Sequence, residues 1–208
     1  MKEGSQSQGL TELTAISPLD GRYREKTETL SPFVSEYGLI RTRVEVEARY
    51  LIALSDVGVV RPLKDDERER LNSFGDNISL EDTQRVKEIE TETRHDVKAM
   101  ERAFRSMLDG TSLSDVVEKV HIGLTSEDVN NISYRLMLKR ATEAVILPQL
   151  DGVVGTLADW SDKYKATPML ARTHGQAAVP TTLGKEMVVF ASRLSGEVKD
   201  LKGRKLTG

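Results

Sequence analysis

The stretch MVVFASRLSGEVKDL (187–201) sets Met187, Ala191, Leu194, Val198 and Leu201 at spacings of four, three, four and three. That rhythm is a coiled-coil-like seam, in which apolar side chains return to one helix face about every 3.5 residues. The segment from Ser126 to about Lys165 carries a second stripe: Val129, Ile132, Leu136, Ala141 and Val145, then Leu150, Val153, Leu157 and Tyr164. It reads as one very long helix, bent where Pro148 interrupts it. A single bent helix and one partner cannot bury such a seam between them. Further helices, from other subunits and from the same polypeptide, are therefore expected to cover it.

Working back towards the N-terminus, the chain shows little alternation of period two and much of period 3.6. A helix is expected from about Val34 to Asp56, with Ile40, Val44, Ala48, Leu51 and Leu54 on its buried stripe. Gly58 and Pro62 punctuate its end. A short helix over 64–74 and a Gly75-Asp76-Asn77 turn come next. One helix is then expected from Leu80 to Leu108, burying Val86, Ile89, Thr93, Val97, Met100, Phe104 and Met107, with Asp109-Gly110 closing it. A short apolar segment (113–122) leads to a helix start at Thr125 or Ser126, and residues 167–182 read as a loop. The fold class is all-α. A disordered lead-in (1–12) precedes an N-terminal helical domain (13–112), and residues 113–208 supply the first long helices of a central helical bundle.

Composition narrows the function classes. Hydrophobic residues make up 38% of the 208, charged residues 30% and aromatic residues only 5%, a balance suited to a globular helical protein. A net charge of −3 gives no basic excess to neutralise phosphates, so nucleic acid is not an expected partner. In RVEVEAR (43–49) the alternating charges read as a solvated helix face. There is no cysteine, which excludes disulfides and thiolate metal sites and suits a reducing cytoplasm. No run approaches the ~18 apolar residues of a membrane span. The first dozen residues lack the apolar core of a signal peptide.

The chemistry-bearing residues sit at turns and helix starts. The three histidines fall in RHD (94–96), HIGLTSED (121–128) and RTHGQ (172–176), too far apart for a local zinc motif, and no metal or cofactor is expected. His174, followed by Gly175, is either a proton donor near neutral pH or a loop histidine capping a helix terminus, and spacing alone does not separate the two. TSEDVNN (125–131) offers hydroxyls and backbone N–H groups at a helix N-terminus. That suits an anion, although a plain capping box accounts for it as well. Arg22 in GRY can grip a phosphate or carboxylate through its planar fork, or simply decorate a turn.

Taken in order, SPLDGRY (17–23), TRHDVKA (93–99), VHIGLTSEDVNN (120–131) and RTHGQ with PTTLGKE (172–186) resemble the motifs of the adenylosuccinate lyase family, within the fumarase/aspartase superfamily. The resemblance runs from about Leu13 to Leu206. It implies a β-elimination that releases fumarate from adenylosuccinate, giving AMP, and from the related succinylated carboxamide ribonucleotide of purine synthesis. The leaving nitrogen needs an acid, and His174 matches the family's general acid. His95 matches a histidine that supports substrate and acid. Arg22 and Tyr23 match a nucleotide-binding pair, and Thr125 and Ser126 match hydroxyls that hold a succinyl carboxylate. His121 matches a histidine placed near the phosphate in some members. Arg94, Asp96, Thr173 and Gln176 complete the implied substrate contacts, with Arg94 standing where many relatives have asparagine.

The same resemblance implies a homotetramer with active sites shared between subunits. It also implies a base-bearing signature loop, resembling GSSxMPxKxNP, that these 208 residues do not contain, so the chain alone is expected to be inactive. Two other readings stand beside it. One is a sister fumarate-forming lyase, such as an argininosuccinate lyase. The other is a non-catalytic helical protein that uses the 187–201 seam for assembly.

Overall fold

A computed structural model describes residues 10–205. Helix α1 (Glu36–Asp56) starts where the Ser35 side chain accepts the N–H of Gly38, a serine N-cap satisfying a donor the first turn leaves free. All five residues expected on its stripe, from Ile40 to Leu54, are buried. Short helical turns precede it over Arg24–Thr27, Glu28–Leu30 and Ser31–Val34.

Helix α2 (Asp65–Asn77) runs through Gly75-Asp76-Asn77, where a turn was expected. Gly75 serves packing: a Cβ there would stand 2.9 Å from the Glu45 side chain of α1. Phe74 of α2 meets Phe104 edge-on at 5.2 Å between ring centroids, a favoured aromatic geometry.

The helix expected from Leu80 to Leu108 is two helices, α3 (Leu80–Thr93) and α4 (Asp96–Leu108). Arg94 takes a left-handed conformation (φ 52°) that ends α3, and His95 is the N-cap of α4. Val86, Val97, Met100 and Phe104 are nonetheless buried as the spacing requires. The break turns the chain without moving the apolar stripe off the core. These helices, with Leu113, Val116, Val117 and Val120 on and around the 3₁₀ segment Ser114–Lys119, form one apolar cluster completed by Val129.

Helix α5 (Ser126–Ala141) passes into a single π turn (Thr142–Ile146) and then α6 (Leu147–Lys163). The backbone stays helical through the junction, and the interruption at Pro148 is taken up as a π turn just ahead of it.

The chain divides into two compact units, one up to Leu138 and one from Lys139 onward. In the second, the expected loop at 167–182 is an antiparallel hairpin, β1 (Pro168–Thr173) and β2 (Gln176–Thr182), with Pro168 opposite Thr182 and Thr173 opposite Gln176. It is the one sheet among the described residues of an otherwise helical protein. Helix α7 (Leu183–Gly203) returns antiparallel along α6. Gly184 at its start lies against Ser161 and Lys165, and Lys202 near its end pairs with Asp151 at 2.9 Å. Of the seam, Ala191 and Val198 are buried, Met187 and Leu194 are half-buried, and Leu201 is exposed. Among the described residues no helix is long and apolar enough to cross a membrane.

Candidate active site

Among the described residues three that are not glycine have a left-handed backbone: Arg94, His121 (φ 64°) and His174 (φ 52°). Each costs about 1 kcal/mol relative to ordinary backbone and persists only where its surroundings impose it. All three fall within the motifs singled out above.

At the first, the His95 backbone caps α4 and its Nδ1 accepts the N–H of Lys98 at 3.3 Å. An accepting Nδ1 places the ring proton of the neutral form on Nε2, the atom left for solvent or a ligand. Asp96 lies 3.6 Å from the same ring. Its carboxyl is pushed up by partial burial, but the Val97 N–H and the Arg43 guanidinium outweigh that and hold it below the usual range.

Arg43 was not anticipated. It is 2% exposed on α1, donates to Asp96 at 2.7 Å, and donates through Nε to Asn130 at 2.9 Å. One buried side chain thus fastens the start of α4 to the first turns of α5. Sequence separations of 53 and 87 residues are closed by a single planar fork.

Four residues further along the same helix, Glu47 is wholly buried and receives the His121 ring Nδ1 at 2.5 Å and the His121 backbone N–H at 3.2 Å. The turn around His121 is held on every side. Arg105 donates to the Val120 carbonyl at 3.2 Å, and the Tyr50 hydroxyl donates to the Ile122 carbonyl at 2.9 Å. Burial is the largest influence and leaves the Glu47 carboxyl above the usual glutamate range, although its bonds with His121 pull it down. Arg43, Glu45 and Glu47 are therefore interior groups, and the solvated face expected of RVEVEAR is corrected to a mounting face for two motifs. The signal available was that Val44 and Ala48 of the buried stripe lie directly beside these charges.

At the start of α5, Thr125 gives both its N–H (2.7 Å) and its hydroxyl (3.0 Å) to Asp128. The Thr125 N–H leads in holding Asp128 below the ordinary aspartate range. Ser126 follows as the first helical residue, half-buried, with no hydrogen bond from its side chain among the described residues. Arg22 stacks over the Tyr23 ring at 5.3 Å. Both are exposed, and among the described residues no hydrogen bond ties them to the other motifs.

In the second unit, His174-Gly175 forms the two-residue turn of the hairpin. Both residues have positive φ (52° and 76°), the mark of a type I′ turn. His174 is exposed and makes no hydrogen bond among the described residues, and Thr173 and Gln176 flank it as a cross-strand pair. Among the described residues no three His, Asp or Glu side chains gather as a metal site would require.

Residues 21–205 match the model of a family described as lyase. The chain belongs to that lyase family. Within it, the chain is 42% identical over 93% of its length to the adenylosuccinate lyase of Dictyostelium discoideum. It is 39% identical over 96% of its length to that of Escherichia coli (strain K12). It spans less than half of these curated relatives, 43% and 44% of their lengths. The fold is shared with a fumarate lyase from Mesorhizobium sp. BNC1, at TM-score 0.68 and 21% identity, covering 86% of this chain and 39% of that one. A 3-carboxy-cis,cis-muconate lactonizing enzyme from Pseudomonas putida is similar at TM-score 0.67 and 20% identity, covering 85% of this chain and 39% of that one.

Proposed function

We propose that this chain supplies the acid half of an adenylosuccinate lyase-type β-elimination, in which fumarate leaves a succinylated purine nucleotide or its carboxamide ribonucleotide precursor. The observation that carries this reading is His174: an exposed imidazole at the apex of a type I′ turn, with no protein group claiming its nitrogens among the described residues. Loss of a proton from the succinyl carbon beside a carboxylate creates a carbanion that expels the purine nitrogen. That nitrogen leaves well only when protonated, and His174 donates the proton. His95, whose Nδ1 accepts the Lys98 N–H, offers Nε2 to the substrate. Ser126, Thr125 and the first N–H groups of α5 receive a succinyl carboxylate, favoured by the positive helix end. Arg22 and Tyr23, with Arg94, His121, Thr173 and Gln176, contact the nucleotide, and Asp96 acts through Arg43. Identity near 40% to proteins named adenylosuccinate lyase supports the choice of substrate.

No residue of this chain is assigned as the base that removes the carbon-bound proton. The same reading places the enzyme in the cytoplasm as a homotetramer with sites completed between subunits.

The test follows absorbance with adenylosuccinate, using the protein that carries this sequence and its His174→Asn variant. Asparagine tolerates the left-handed turn, and Asn-Gly is a preferred type I′ pair. Turnover should fall about 10²–10⁴-fold while substrate binding and melting temperature hold. Unchanged turnover would remove His174 from the acid role. Turnover of argininosuccinate in place of adenylosuccinate would overturn the substrate.

A further inference from the structure

Glu47 is completely buried and, among the described residues, has no lysine or arginine partner. Its neighbours in kind are arranged differently. Glu67 is gripped by Arg61, and Glu101 by Lys98 and Arg105. A buried carboxylate requires a compensating cation or a full set of donors. For Glu47 both come from one residue: the His121 backbone N–H holds Oε2 and the ring Nδ1 holds Oε1. The turn bearing His121 is in turn fixed by Arg105 and Tyr50, so the backbone that presents the ring is held in place and the ring itself is held by Glu47. The His121 side chain is 17% exposed, and Nε2 is its remaining polar atom.

We infer that Glu47 is a positioning residue that fixes the His121 imidazole with a proton on Nδ1, leaving Nε2 as the atom that takes up and returns a proton. While Glu47 is ionised it only accepts hydrogen bonds, so Nδ1 keeps its hydrogen in both ring states. The neutral ring then faces outward with a lone pair on Nε2, and the protonated ring with an N–H. Uptake of one proton from water converts a group that repels an anion into one that binds it. The charged groups around His121 are Glu47 from α1, Glu101 and Arg105 from α4, and Asp128 from α5. Glu101 is neutralised by two cations, which leaves Glu47 to dominate.

Glu47→Gln separates this role from simple packing. The amide has one oxygen, and the His121 backbone N–H, always a donor, claims it. The amide NH₂ then faces Nδ1, which must accept, and the neutral ring switches its proton to Nε2. Nitrogen-15 NMR of histidine-labelled chain across the titration should show Nδ1 protonated throughout in the wild type. In Glu47→Gln the neutral ring should carry its proton on Nε2. A wild-type neutral ring protonated on Nε2, or a variant with an unchanged tautomer, overturns the inference.

A second readout rests on the proposed function, in which His121 faces the nucleotide. With adenylosuccinate, the wild-type KM should rise with pH towards a slope of about tenfold per pH unit, as one linked proton requires. Glu47→Gln should flatten that rise, and Glu47→Asp should restore it. A KM raised by the same factor at every pH would reduce Glu47 to packing and overturn the inference. Absence of turnover in a full-length protein that carries this sequence together with the base-bearing loop would reject the lyase reading, and the NMR result would still decide the role of Glu47.

Discussion

Glu67 shows what a single buried carboxylate contributes when its partner is well placed. Both its oxygens receive Arg61, at 2.8 and 3.0 Å, and one also receives the Lys64 N–H at 2.9 Å. The Arg61 bonds are the main cause holding its carboxyl down at about 2, from the ordinary 4.5. In the folded protein Glu67 stays ionised to that low pH, whereas the unfolded chain takes up a proton near 4.5. Its contribution is therefore complete above about pH 4.5 and is lost as pH falls towards 2. Glu67→Gln should cost about 1–3 kcal/mol at pH 7, and the gap to wild type should close in acid. Urea denaturation at pH 7, 4.5 and 3 measures it, and a gap that is the same at all three pH values would refute the linkage. None of this was legible in the sequence, because Glu67 sits in the run DDERER like any surface acid. The left-handed Arg94, His121 and His174 were hidden for a related reason. A glycine advertises positive φ through its missing Cβ, whereas a histidine held there by tertiary bonds gives no local sign. What the motifs did reveal was that chemistry gathers at turns, and the strained positions fall within them.

At the level of elements, periodicity placed the buried faces well and the breaks poorly. The stripe from Val86 to Phe104 is continuous across α3 and α4 because the turn at Arg94-His95 returns the chain to the same side of the core. A pattern of apolar residues cannot register such a break. The hairpin was missed because its seven-residue second strand, QAAVPTT, contains a proline and is largely exposed, so no alternation of buried and solvated residues marks it. Gly184 was equally silent, although the packing of α7 on α6 depends on it. A Cβ there would lie 2.3 Å from the Ser161 carbonyl oxygen and 2.6 Å from the Lys165 nitrogen, both backbone atoms that cannot rotate aside. Its own N–H donates to the Tyr164 carbonyl at 3.0 Å. Gly184→Ala should therefore force the start of α7 away from the end of α6, at about 1–3 kcal/mol or more. A melting temperature within a degree of wild type would show that the helix ends shift freely. Gly196, with open space around its Cβ position, provides the control. Gly196→Ala should be neutral or stabilising by up to about 1 kcal/mol, as expected in a helix interior.

Across the whole molecule, burial is distributed unevenly between the two units. The unit up to Leu138 holds the apolar cluster, in which Leu51, Leu71, Met100, Phe104 and Leu113 are essentially inaccessible. Beyond it the buried apolar side chains among the described residues are Ala141, Leu147, Ala191 and Val198, while Val153, Trp160, Leu170, Val179 and Phe190 stand exposed. The all-α class and the need for a cover over the 187–201 seam could both be read from spacing. Which of the seam residues the described residues cover (Ala191 and Val198, but not Leu201) could not, because spacing defines a face and says nothing of its neighbour. Protection against hydrogen exchange follows the free energy of local opening, which falls where few apolar contacts must be broken. Amides of α1 and α4 should therefore exchange slowest, and those of α6, α7 and the hairpin at least about tenfold faster, a difference of about 1.4 kcal/mol in opening. Exchange followed by mass spectrometry on the dilute chain resolves the two units. Equal protection in both would mean that the faces bearing Trp160 and Phe190 are covered in solution. Repeating the exchange at higher dilution would then show whether another copy of the chain supplies the cover, since only an association between copies weakens as concentration falls.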